Sequence, residues 1–188
     1  QRKSKRVTQA TPILSIVGYT NAGKSTLLNA LTKSELKAEN LLFSTLDTAT
    51  RRLRFPREKE VVLTDTVGFI QSLPKELLGT FQSTLDELKD AHLLIHLVDI
   101  HSPRFEQQMS AVHEILNQIG VCDKPELLVF NKIDQIEPRM RDVLCERYGA
   151  IGISALAPET LPPLLAEIEE KLWKTDSIQI NIRSGTKQ

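Results

Sequence analysis

Gly18-Tyr19-Thr20-Asn21-Ala22-Gly23-Lys24-Ser25 decides how this chain is read. Two glycines with four residues between them, followed by Lys and Ser, match the phosphate-loop pattern. Each position has a physical reason. Gly18 and Gly23 let the backbone curl until successive N–H groups point inward at phosphate oxygens. A helix starting after Lys24 adds its positive dipole end. Lys24 would reach the β- and γ-phosphates and the Ser25 hydroxyl would hold Mg²⁺. Tyr19, Thr20, Asn21, Ala22 and Thr26 complete the expected phosphate cradle. The flanks agree: residues 13–17 are an apolar, β-branched run suited to a buried strand, and residues 25–31 set Leu27, Leu28 and Leu31 on one helical face.

Outward from this loop, further strands are expected at residues 51–55, 61–65, 92–99, 126–130 and 150–154. Helices are expected at 75–89, 105–119, 138–148 and 161–173. The helix over 105–119 would carry Met109, Val112, Leu116 and Ile119 on one stripe, and that over 161–173 would bury Leu164, Leu165, Ile168 and Leu172. The alternation implies an α/β fold, a mostly parallel six-stranded sheet with helices on both faces. Only the strands at 51–55 and 61–65, joined by a charged turn, are suited to antiparallel pairing. Residues 32–50 form a long polar segment with few helix or strand signals, which inside a compact domain marks a functional loop.

Ligands of such sheets sit at the carboxyl ends of the strands, and the remaining motifs fall there. Asp65-Thr66-Val67-Gly68 offers a carboxylate for Mg²⁺ and a glycine N–H for the γ-phosphate. Asn131-Lys132-Ile133-Asp134 speaks to the base. A carboxylate at Asp134 accepts from guanine N1–H and N2–H₂, whereas adenine would leave it unpaired at a cost of about 1–3 kcal/mol or more. Asn131 would brace the loop and meet the other edge of the purine, and the Lys132 stem would pack along the ring. Ser154-Ala155-Leu156 would lend a backbone N–H to guanine O6.

Composition sets bounds. The chain has 188 residues, 24 Lys plus Arg against 24 Asp plus Glu, and zero net charge. It suits one ordinary domain with a full core; no global affinity for nucleic acid follows from zero net charge, and any contact with RNA would have to come from a local patch. No apolar run reaches membrane-spanning length and no secretory signal is present. Cys122 and Cys145 have no metal-like spacing and read as reduced thiols of a cytoplasmic protein. The chain opens on Gln1 rather than Met and reads as a piece of a longer one. Residues 1–10, with Arg2, Lys3, Lys5 and Arg6, read as a solvated linker rather than a binding site. Residues 11–174 read as the nucleotide-binding domain. Residues 175–188, with Ile178, Ile180 and Ile182 alternating, read as a tail or the first strand of a further module.

The combined motifs resemble those of the TRAFAC GTPases, and more closely the HflX family beside the Obg and Era groups. The stretches carrying this are the loop from Gly18 to Ser25, Leu42-Phe43-Ser44-Thr45-Leu46-Asp47, Asp65-Thr66-Val67-Gly68-Phe69-Ile70 and Leu73-Pro74. The resemblance spans residues 11–173 and implies a Ras-like P-loop GTPase domain, with switch I at 36–50 and switch II at 66–80. It implies that Thr45, rather than its neighbour Thr48, joins Ser25 and Asp65 on Mg²⁺. Phe43 would contact the nucleotide, and Lys24, Thr45 and Gly68 would serve the hydrolysis of GTP to GDP and phosphate. It implies a monomeric switch that works with the large ribosomal subunit in assembly or in rescue and splitting of ribosomes. One departure from Ras matters. Phe69 stands where many such proteins carry a glutamine that orients water, so intrinsic hydrolysis should be slow. The opposed reading is a GTP-binding interaction module with negligible turnover. Asn21 is either a loop-bracing amide or a residue that admits K⁺ as a charge-stabilising element.

Other polar residues attract less. His92 and His96 flank one strand without ligand-like companions, and His96 reads as a core or face histidine. His101 and His113 read as surface residues, and Asp99 as a structural carboxylate at a strand end. Arg52 and Arg54 share a strand face and, with Arg51, read as solvated rather than catalytic.

Overall fold

The computed structural model describes residues 11–33, 50–55, 59–65 and 86–183, with backbone alone for residues 33, 50, 65 and 174–183. Strand β1 (Ile13–Gly18) runs into the phosphate loop and helix α1 (Lys24–Lys33). Strands β2 (Thr50–Phe55) and β3 (Lys59–Asp65) follow. After a 3-10 turn at Glu87–Asp90 come β4 (Leu93–Asp99), α2 (Phe105–Gln118), β5 (Glu126–Asn131) and α3 (Pro138–Tyr148). The short β6 (Ile151–Gly152) and α4 (Pro162–Arg183) complete the described chain.

The six strands lie in the order β2-β3-β1-β4-β5-β6. All neighbours are parallel except β2 and β3, which pair antiparallel from Thr50↔Thr64 to Phe55↔Lys59. The chain leaves β1 toward β3 on one side and returns to β4 on the other. A crevice therefore opens beyond the carboxyl end of β1, where ligands of such sheets bind. The phosphate loop occupies that point.

Both faces are covered, which is why the central strands read as unbroken apolar runs. In β4, Leu93, Ile95 and Leu97 face a cluster with Leu27, Leu28 and Leu31 of α1 and Leu161, Leu164 and Ile168 around α4. Leu94 faces the other way, toward Val112, Ile115 and Leu116 of α2, and Val98 joins Phe130 and the partly buried Leu144 and Tyr148 of α3. Leu27, Leu28 and Leu31 are at most 1% exposed, so each contributes about 2 kcal/mol of burial. Among the described residues no helix is long and apolar enough to cross a membrane.

Two expectations need correction. The strand expected at 150–154 forms a ladder only over Ile151–Gly152, since beyond it the chain turns to cap the site described below. The strand expected at 177–188 is overturned as far as Arg183, where α4 continues as helix. A helix already formed gains one hydrogen bond per added residue, whereas an isolated strand has no edge to pair with. Period-two isoleucines do not outweigh that. Of the helix expected at 75–89, residues 75–85 lie outside the described residues, and its end is the 3-10 turn that buries Leu88. The basic linker at 1–10 and residues 184–188 also lie outside them.

Candidate functional site

Three parallel strands deliver the site to one edge of the sheet. Gly18 ends β1 beside Leu97 of β4, and Asp99 of β4 lies level with Asn131 of β5. A Cβ on Gly18 would sit 2.4 Å from the Leu97 carbonyl oxygen, so glycine here is first a packing requirement. Gly23 has φ +98°, and its Cβ would fall 2.3 Å from Asn131 Nδ2. The loop closes with an Ala22 N–H bond to Tyr19 O at 3.2 Å. Lys24 is 8% exposed and folds its ammonium over the loop, donating to Gly18 O at 3.2 Å and Tyr19 O at 3.1 Å. Tyr19 and Thr20 are half-buried, Ala22 is buried, and Asn21, Ser25 and Thr26 are exposed at the start of α1.

Asn131 joins this loop to the far side of the site. Its Nδ2 donates to Ala22 O at 2.8 Å and its Oδ1 accepts from Ala155 N–H at 2.9 Å. The two partners fix the amide orientation, because a carbonyl can only accept and an N–H can only donate. The bracing part of the expectation for Asn131 is thus what the fold displays. The following residue, Lys132, takes a left-handed φ of 66° and places its Nζ 2.5 Å from Asp99 Oδ2. Among the described residues the non-glycine positions with positive φ are Asn21 and Lys132, both in expected site motifs. Such strain collects at functional sites. Asp134 follows in a 3-10 turn with its side chain exposed.

The loop after β6 is held just as tightly. Ile133 N–H bonds Ile153 O at 3.3 Å and Ile153 N–H bonds Phe130 O at 2.8 Å. Thr160 Oγ1 accepts from Ser154 N–H at 2.9 Å and lies 2.7 Å from Ala157 O. Ala157 N–H turns back to Ser154 O at 2.9 Å. Within Ser154 to Ala157, therefore, Leu156 carries the one N–H that no bond among the described residues takes. The expectation of an N–H from Ser154-Ala155-Leu156 narrows to Leu156, whose side chain is 77% exposed.

The structure thus brings Gly18 to Thr26, Asn131, Lys132, Asp134 and residues 154–156 to one edge. Asp65 ends β3 beside β1, level with Ile16; its side chain lies outside the described residues, as do Phe43, Thr45, Thr48, Gly68 and Phe69. Sequence reasoning missed Thr160, whose only signal was a hydroxyl six residues past Ser154. Asp99, expected to be structural, is so through its ion pair to Lys132, a partner that sequence reasoning did not name.

A model of the family described as 50S ribosome-binding GTPase matches residues 13–132. The GTPase HflX of Caldanaerobacter subterraneus subsp. tengcongensis is 42% identical over 182 residues, 95% of this chain and 40% of that relative. The chain belongs to the HflX family of GTPases. It is 39% identical to the HflX of Escherichia coli K12 over 92% of its own length, and spans 41% of that protein. Among solved structures, a GTP-binding protein from Sulfolobus solfataricus in complex with GDP matches with a TM-score of 0.61 and 30% identity, covering 84% of this chain and 53% of that one.

One reading fails in this HflX domain. His96 is a core histidine, fully buried, but it does have ligand-like companions. Its Nδ1 lies 3.0 Å from Glu126 Oε1, and His113 Nε2 lies 3.2 Å from the same oxygen. Burial pushes the Glu126 carboxyl up, but the hydrogen bonds and charges of His96 and then His113 outweigh it and hold it below the usual carboxylate range. The companions are 17 and 30 residues away in sequence and meet only through the fold. Arg52 and Arg54 share Glu60 at 3.7 and 3.0 Å on an exposed face, as expected. Arg51 donates to Asn29 Oδ1 at 2.7 Å.

Proposed function

We propose that this domain is an Mg²⁺-dependent switch that binds GTP and hydrolyses it slowly to GDP and phosphate. One observation carries the reading. The Asn131 amide bonds both Ala22 of the phosphate loop and Ala155, holding the Lys132–Asp134 turn at a fixed distance from the loop. Phosphates would lie on Gly18 to Thr26 under Lys24, and the base between Lys132, Asp134 and the Leu156 N–H. Phe43 would contact the nucleotide.

Ser25, Thr45 and Asp65 would hold the metal. Ser25 opens α1 and Asp65 ends the neighbouring strand β3, at the same edge of the sheet. Hydroxyl and carboxylate oxygens are the hard donors that Mg²⁺ takes. When bound, Mg²⁺ supplies charge neutralisation on the phosphates. The chain itself orients the γ-phosphate through Lys24, Thr45 and Gly68. Phe69 cannot orient water, so the missing group would come from a partner or from K⁺ admitted by Asn21.

Family membership supports a partner on the ribosome, by the words "50S ribosome-binding". We take that partner to be the large subunit, engaged during assembly, rescue or splitting by a monomeric cytoplasmic protein. Phe69 also favours a second reading, an interaction module that holds GTP with negligible turnover. GTP hydrolysis in K⁺ and in Na⁺, with and without purified large subunits, separates the two. Stimulation by either supports the switch. Turnover absent under all four conditions leaves the module. Base choice is tested independently by Asp134→Asn, which should lose GTP affinity about a hundredfold and gain for xanthosine triphosphate, whose 2-oxo group accepts where guanine donates.

A further inference from the structure

We propose that His96, His113 and Glu126 form a binding site for one divalent transition-metal ion, zinc by preference. The site lies beneath α2, on the face of the sheet opposite α1. Glu126 begins β5, about 16 Å along the strand from Asn131, and His96 lies three residues before Asp99 on β4, about 10 Å from the nucleotide edge. It is a separate place, with separate donors.

The donor set is two imidazole nitrogens and one carboxylate oxygen, which suits zinc and its first-row neighbours and not the oxygen-seeking Mg²⁺ or Ca²⁺. The three come from three elements: β4, α2 and β5. His96 Nδ1 and His113 Nε2 lie 3.0 and 3.2 Å from Glu126 Oε1, and all three ligand atoms fall within 4.8 Å of one another. A tetrahedral ion with bonds of about 2.0 Å sets its ligands about 3.3 Å apart. Two edges of that tetrahedron are therefore already in place. The third closes by turning His113, whose side chain is 47% exposed at the margin of α2 and has room to move. The same exposure is the entry path, and water completes the fourth position.

Glu126 Oε1 has lone pairs enough to accept from both imidazoles, so the resting contacts are ordinary hydrogen bonds. What points to an ion is the convergence of three donors from three elements: His113 stands edge-on to His96 with ring centroids 4.9 Å apart, and the three ligand atoms lie within 4.8 Å of one another. An ion would take the place of the shared protons. His96 is held rigidly, paired in register with Val17 on one side and Leu128 on the other. Its Nε2 is buried without a partner among the described residues. With Nδ1–H given to Glu126 this is a bare lone pair, and with a metal on Nδ1 it is a bare N–H. Neither state relieves the orphan, so it leaves the choice between them to the three ligands.

The test uses tag-free chain titrated with Co²⁺, followed by displacement with Zn²⁺. Wild type should develop the intense visible bands of tetrahedral cobalt at one equivalent, and Zn²⁺ should abolish them. His113→Ala and Glu126→Gln should each weaken binding more than about tenfold, since even outer partners of metal ligands are worth that much. Zn²⁺ should raise the thermal midpoint of the wild type and leave that of His113→Ala unchanged. His113 is exposed, so its variant keeps the fold, which its metal-free midpoint checks. Absence of the bands, or bands unchanged in His113→Ala, overturns the proposal. Neither readout depends on nucleotide, so failure here leaves the GTPase reading untouched.

Discussion

The two loops that meet at the carboxyl edge of the sheet are built by opposite means. The phosphate loop is shaped by what its residues lack. Gly18 clears the Leu97 carbonyl, Gly23 clears Asn131, and a backbone bond from Ala22 to Tyr19 closes the turn. The loop after β6 is shaped by side chains that reach into it from elsewhere: Asn131 from β5 and Thr160 from the following turn. The turn at Lys132 is likewise held from outside, by Asp99 of β4. The first loop therefore fails when atoms are added, and the other when polar atoms are removed.

The largest expected effect tests the residue common to both. Asn131→Ala leaves Ala22 O and Ala155 N–H unpaired inside the fold and should cost about 4 kcal/mol, at about 2 kcal/mol per orphaned group. Urea unfolding measures this, and GDP affinity should fall with it. Gly18→Ala comes next. Its methyl meets a backbone carbonyl inside the β1–β4 ladder, which cannot swing aside, and about 3 kcal/mol of stability should be lost. If Gly18→Ala is tolerated, the phosphate loop is not sterically set and the contrast collapses.

Thr160→Val keeps the shape and removes the hydroxyl. About 1–2 kcal/mol should be lost, with GDP affinity weakened more than that of pyrophosphate. Equal loss for both would mean that Thr160 supports the whole fold rather than one loop. Asp99→Asn should cost about 1 kcal/mol or less, because the pair with Lys132 is partly open to solvent; the wild-type difference should shrink as salt is raised.

The smallest effect concerns the wall behind β6. Cys145 of α3 is half-buried, with Sγ 3.0 Å from where a Cβ on Gly152 would lie. Burial pushes its thiol up, and Asp142 adds to this against the opposing charge of Arg141. Only the thiolate is reactive, so at pH 8 iodoacetamide should label the exposed Cys122 first. Labelling of Cys145 should rise as pH climbs toward its raised value. Equal rates would show that the wall is looser than the geometry implies.

Much of this was readable along the chain because its signals are local. The loop from Gly18 to Ser25 lies between an apolar strand and a helix with Leu27, Leu28 and Leu31 on one face, so strand, loop and helix identify one another. Residues 138–148 read as a helix and are α3 to the residue. What escaped depends on partners distant in sequence. Asp99 looked like an ordinary strand end until Lys132, 33 residues later, adopted a left-handed turn toward it. His96 looked solitary because neither His113 nor Glu126 shares its element. Ile178, Ile180 and Ile182 misled for the converse reason. Their period was local, but whether a strand forms depends on a neighbour, and a helix already running from Pro162 needs none.

A ligand with two ends, one on each loop, does not bind as the sum of its ends, because one side chain is shared by both receptors. Filling the phosphate loop would immobilise Asn131 and with it the Ala155 backbone, so the base would find its loop already ordered. The linkage is reciprocal. Pyrophosphate and guanosine, added as separate molecules, would each raise the affinity for the other, and the coupling free energy between them would be carried by a single carboxamide.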